Sequence, residues 1–131
     1  MQNKLPAILT LSAAFALSAC ATIAGAPLPD GSDVALGQKA YVDGPLVQPV
    51  EVVEDSRCPM NARCVWAGRV RVKMLWLRGN GEKQPFEVTL GEETQLADGK
   101  FTLESVRPEK MTNVTIKPSD YRFSFRFAGG L

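Results

Sequence analysis

The chain has 131 residues, with 15 basic and 14 acidic side chains, three cysteines and no histidine. That length holds one domain with one modest core, and that charge balance creates no field to gather nucleic acid. The missing histidine removes the usual general base at neutral pH, the commonest metal ligand and every Ser/His or Cys/His nucleophile pair. The expectation is a non-enzymatic protein with no catalytic residue, no cofactor and no metal site.

Residues 1–19 read as a lipoprotein signal peptide. Met1 to Lys4 is a short polar head, Leu5 to Leu17 an apolar body and Ser18-Ala19 a small-residue exit, the order that signal peptidases read. The apolar body falls short of the roughly 20 residues that cross a bilayer. The run Leu17-Ser18-Ala19-Cys20 matches the lipobox, in which the cysteine is lipidated and becomes the mature N-terminus. Cys20 is therefore the expected lipid attachment point and the chain's link to a membrane. An ordinary signal peptide cut after Ala24 or Ala26 is the alternative. Ala21 is not the aspartate that holds lipoproteins at the inner membrane, so the outer membrane is expected, with the domain facing the periplasm.

Residues 20–33 form the expected tether, rich in Ala, Gly and Pro and without a core-forming period. A flexible segment of that length spans about 20 Å on average. Residues 34–131 form the expected single β domain. Val34 to Leu36 and Gln38 to Val42 are short strand candidates ahead of the turn Asp43-Gly44-Pro45. Leu46 to Glu54 is β-branched, and its Pro49 predicts an edge position or a bulge.

Cys58 and Cys64 are the even pair left once Cys20 carries lipid. In an oxidising compartment they predict a disulfide, stabilising by roughly 2–2.5 kcal/mol for so short a loop. Beyond them, Trp66, Gly68, Val70, Val72, Met74 and Trp76 alternate with Arg69, Arg71 and Lys73, the pattern of a half-buried strand. Asn80-Gly81 signals a tight hairpin. Phe86, Val88 and Leu90 alternate with Glu87 and Thr89. Asp98-Gly99 turns into Phe101, Leu103 and Val106, whose slip in parity predicts a bulge. Tyr121, Phe123, Phe125 and Phe127 alternate with Arg122, Ser124 and Arg126. With no helical period after the signal, these runs predict an antiparallel β-sandwich or small barrel of about seven strands. The expected core is Val70, Val72, Met74, Trp76, Phe86, Val88, Leu103, Phe123, Phe125 and Phe127.

The block Glu54-Asp55-Ser56-Arg57-Cys58-Pro59, followed by Cys64-Val65-Trp66-Ala67-Gly68, resembles a motif of an uncharacterised family of small bacterial lipoproteins and secreted proteins. The similarity extends to the strand from Phe101 to Pro108 and to the Asp120-Tyr121 pair that opens the last strand. It implies a β domain with a disulfide and carries no assigned activity.

Two readings of this block stand side by side. In the architectural one, Asp55 and Ser56 accept backbone N–H groups, Arg57 pairs with a nearby carboxylate and Trp66 plugs one end of the core. In the other, Asp55, Ser56, Arg57, Asn61 and Trp66 form a recognition loop whose disulfide lowers the entropy cost of binding. A second surface is also a candidate. If the strands bearing Arg69, Arg71 and Lys73 and those bearing Arg122 and Arg126 are neighbours, five cations share a face suited to anionic lipid headgroups. Glu87 and Glu104 instead make it a mixed-charge surface if they lie across from those cations. The functional expectation is an outer-membrane lipoprotein that binds an envelope partner through its loops. The alternative is a lipid-anchored inhibitor of a periplasmic or extracellular hydrolase.

Overall fold

A computed structural model describes residues 26–129; the signal segment and Cys20 lie outside them. The described chain is all-β apart from one turn of 3-10 helix at Pro118–Asp120. Seven strands form two antiparallel sheets. The first sheet has the order β1 (Ala40–Tyr41), β2 (Leu46–Asp55), β3 (Val70–Leu77), β4 (Lys83–Thr89), and the second β5 (Glu93–Leu96), β6 (Gly99–Arg107), β7 (Arg122–Gly129). The sheets pack face to face and do not close into a barrel. Between them, the segment around Val34 bridges to Phe123 of β7, while the Gly37 N–H donates to the Pro49 carbonyl of β2.

Alternation explains the core. Val70, Val72 and Met74 of β3 are fully buried, as are Phe101 and Leu103 of β6 and Phe123 of β7. The Phe86 ring of the first sheet meets Phe101 of the second edge-on at 5.5 Å, and within the second sheet Phe101 contacts Phe125 at 5.3 Å. Such pairs add about 0.5–1.5 kcal/mol each beyond the area they bury. Trp76, Phe86 and Phe127, expected inside, are only partly buried against this core, because they sit near strand ends or sheet edges. Val34, Ala40, Val42, Val47, Val88, Leu96, Val106 and Tyr121 complete it. The parity slip in β6 is a bulge: Leu103 pairs with Phe125 and Ser105 with Ser124, so Glu104 has no partner in register. Pro49 likewise precedes a register shift in β2.

Three expectations need correction. The long strand starts at Val70 rather than Trp66, because Gly68 adopts φ +59° and breaks the alternation. Trp66 therefore does not plug the core; it is 57% exposed. Leu28 to Asp33, assigned to the tether, are joined to the domain: the Leu28 N–H donates to Lys39 O, the Tyr41 N–H to Leu28 O and the Phe125 N–H to Gly31 O. These are backbone bonds, which leave no hydrophobic period in the sequence.

β2 runs the length of the first sheet and defines two ends. Its first residues lie beside β1 and Leu28, where the chain comes in, and its last residue, Asp55, leads into the disulfide loop. At about 3.3 Å per residue, ten residues separate this tether end from the disulfide end by about 30 Å.

Candidate functional site

The disulfide end is built around Asp55, the last residue of β2. Its carboxylate accepts two bonds from the Arg57 guanidinium, Nε to Oδ1 and Nη2 to Oδ2, each at 2.9 Å. The Tyr121 hydroxyl, at the start of β7, donates to Asp55 Oδ2 at 2.8 Å. Arg57 spends its other donors on the carbonyls of Val106 (3.2 Å) and Pro108 (3.1 Å), at the end of β6. Lys110 Nζ closes the ring on the Asp55 carbonyl at 2.7 Å. The ends of β2, β6 and β7 are thus tied through one ion pair whose side chains are 9% (Asp55) and 14% (Arg57) exposed.

Burial by itself raises the Asp55 carboxyl's pKa, but the hydrogen bonds from Arg57 and Tyr121 outweigh it and hold the group below its ordinary value. Burial and the bond to Asp55 push the Tyr121 hydroxyl up to about 12. Both groups are held in the forms that make the latch, an ionised carboxylate and a neutral phenol.

Ser56 continues the structure into the loop. Its Oγ accepts from the Arg69 N–H at 2.9 Å and its carbonyl accepts from Trp66 Nε1 at 3.1 Å. Gly68 is required where it stands: a Cβ there would lie 2.3 Å from the Ser56 carbonyl oxygen. The Cys58–Cys64 disulfide spans Cα atoms 5.8 Å apart. The loop it closes is pinned to the segment after β6, since the Met60 N–H donates to Lys110 O at 2.7 Å and the Thr112 N–H to Asn61 Oδ1 at 2.9 Å.

The five residues of the expected recognition loop thus divide. Asp55, Ser56 and Arg57 hold the ends of the strands together, and their polar groups are occupied by the domain itself. Asn61 fastens one loop to another. Trp66 alone offers a large exposed apolar side chain.

What surrounds Trp66 was not anticipated. Val65 is fully exposed, Met60 is 67% exposed, and Met111 and Val114 are exposed on the adjoining segment. Five of the eight large exposed apolar side chains of the described residues therefore sit on two loops bonded to each other. Isolated exposed apolar residues are ordinary; several on adjoining loops make this end the candidate for an interaction surface. Met60 lies inside the disulfide loop and Val65 directly after Cys64, in a segment without alternation, which is the trace such a tip leaves in a sequence.

The five-cation face does not form. β3 and β7 belong to different sheets, and the cations are occupied: Arg69 pairs with Glu54, Arg71 with Glu87 at 2.6 Å and Arg126 with Glu104 at 3.2 Å. Arg122 donates to the carbonyls of Ser119 and Tyr121. Lys73 stands opposite Glu51 on β2 and Glu87 on β4. Cross-strand carboxylates placed by register convert the expected patch into a mixed-charge surface.

Comparison of the chain with protein-family models, with curated proteins and with solved structures finds no match.

Proposed function

We propose that this chain is a lipoprotein of the bacterial outer membrane, anchored through lipid on Cys20, which binds an envelope protein through the tip of its disulfide end and performs no catalysis. The observation that carries this reading is the tip itself. Met60, Val65, Trp66, Met111 and Val114 stand out from a support fixed by a disulfide, two loop-to-loop hydrogen bonds and the Asp55–Arg57 latch. A preorganised convex surface with an exposed aromatic and flexible methionines suits an apolar pocket on a protein, and its rigidity lowers the entropy cost of docking.

The test is affinity capture from solubilised envelopes, with the native protein and a Met60→Ser/Val65→Ser/Trp66→Ser variant run in parallel. A partner retained in stoichiometric amount by the native protein and lost with the variant supports the reading. A partner retained equally by both, or none at all, refutes the tip as the binding surface. A captured hydrolase whose activity falls in proportion to added lipoprotein would make the binding inhibitory.

A further inference from the structure

We propose that the tether end of the domain is a bilayer-contact surface that rests on phospholipid headgroups and points the disulfide tip away from the membrane. This rests on the lipid anchor at Cys20 and adds to it an orientation and a second contact.

The first argument is reach. Leu28 is the first of the described residues paired into the domain, through the Lys39 carbonyl and the Tyr41 N–H. Seven residues lie between it and Cys20, a span of at most about 28 Å. The tether end is therefore kept within about 28 Å of the lipid on Cys20. The tip lies the length of β2 further on, about 30 Å.

The second argument is chemistry. The surface beside Leu28 is a shallow groove of about 500 Å³ lined by Tyr41, Pro45, Leu46, Trp76 and Arg78. Tyr41 is 47% exposed, and the Arg78 guanidinium lies 4.7 Å from the centre of the Trp76 ring. Aromatic side chains with one apolar and one polar edge, together with an arginine able to bond phosphate, are what the headgroup layer accommodates. Lys83 pairs in register with Leu77 of this groove; of the carboxylates beside it, Glu82 lies 3.7 Å from Arg78 and Asp43 accepts from the Phe127 N–H. The tip is apolar as well, but the tether places it on the far side of the domain.

The chain contains two tryptophans, and they mark the two ends. The full lipidated protein is reconstituted into vesicles of phosphatidylethanolamine and phosphatidylglycerol in which a share of the headgroups carries a nitroxide, a short-range quencher of indole. Trp66→Phe leaves Trp76 as the sole reporter, and Trp76→Phe leaves Trp66. The expected result is that Trp76 fluorescence is quenched several-fold more than Trp66 fluorescence, and that Tyr41→Ser/Arg78→Gln in the Trp66→Phe background reduces the difference. Stronger quenching of Trp66, equal quenching of both or quenching of neither overturns the proposal. Intact mass of the same samples separates the two inferences. An unacylated chain refutes the anchor and this proposal with it, whereas an acylated chain without preferential Trp76 quenching refutes this proposal alone. Circular dichroism matching the native protein shows that each variant is folded.

Discussion

At the tether end, strands are joined by tight local turns. Arg78 N–H donates to Glu82 O and Gly81 N–H back to Arg78 O, while Val42 N–H donates to Pro45 O, all within five residues. At the disulfide end, residues far apart in sequence are tied together: Arg57 to Val106 and Pro108, Lys110 to Asp55, and Tyr121 to Asp55. Closing long loops costs chain entropy that short turns do not incur. The disulfide end meets that cost with a sheltered ion pair, a disulfide and a network of occupied donors. A heavily braced end that nonetheless leaves five large apolar side chains in water is holding a surface in shape.

That difference between the ends is open to test by substitution. The largest effect is expected from Asp55→Ala, which strands the sheltered Arg57 guanidinium and the Tyr121 hydroxyl. It should cost about 3–5 kcal/mol in chemical denaturation, as breaking a buried pair does. Glu82→Ala at the tether end removes an exposed partner of Arg78 at 3.7 Å and should cost less than about 0.5 kcal/mol. Equal costs would abolish the distinction.

Replacing both Cys58 and Cys64 with serine should cost about 2–3 kcal/mol by the same measurement. The far-ultraviolet dichroism of the sheets should persist, since neither cysteine belongs to a strand.

The latch also sets the expected pH dependence. The Asp55 carboxyl titrates near its ordinary 3.8 in the unfolded chain and lower in the folded one. Its stabilisation is therefore complete above that value and is lost as pH falls through the folded one. Tyr121 is shifted the other way, from 10.0 to about 12, so its contribution is complete below pH 10.0 and is lost as pH rises towards about 12. Thermal melts across both ranges should show these limbs. Tyr121→Phe should remove its alkaline contribution and, with one hydrogen bond gone, cost about 1 kcal/mol at neutral pH.

The smallest effect on stability is expected at the tip. Met60→Ser and Val65→Ser should lie within about 0.5 kcal/mol of the native protein while partner capture is lost. A large loss of stability would mean that these side chains serve the fold.

Strand content, tight turns and the disulfide were legible in the chain because each is written in neighbouring residues. Period-two alternation over Val70–Trp76 and Tyr121–Phe127, Asn80-Gly81 and the short Cys58–Cys64 spacing all act locally. β5 leaves no such trace, because Glu93-Thr94-Gln95-Leu96 contributes one buried apolar side chain, Leu96, and becomes a strand through its pairing with β6. Trp66 was misplaced because alternation does not reveal that Gly68 turns left-handed under the Ser56 carbonyl.

The amino-acid sequence by itself determined that this is a β domain, where its hairpins turn and which cysteines join. Tertiary structure decided that two sheets remain separate, that β3 and β7 are not neighbours and that Arg57 faces inward. It also decided that Met60, Val65, Trp66, Met111 and Val114 stand exposed on two loops bonded to each other. Alternation specifies which face of a strand is apolar, and each strand satisfies that rule in many arrangements. Which strands pair, and which distant polar groups find each other, depends on closing loops of about fifty residues or more, such as those from Arg57 to Val106 and from Asp55 to Tyr121. The gain from those contacts exists only once the whole sandwich is assembled.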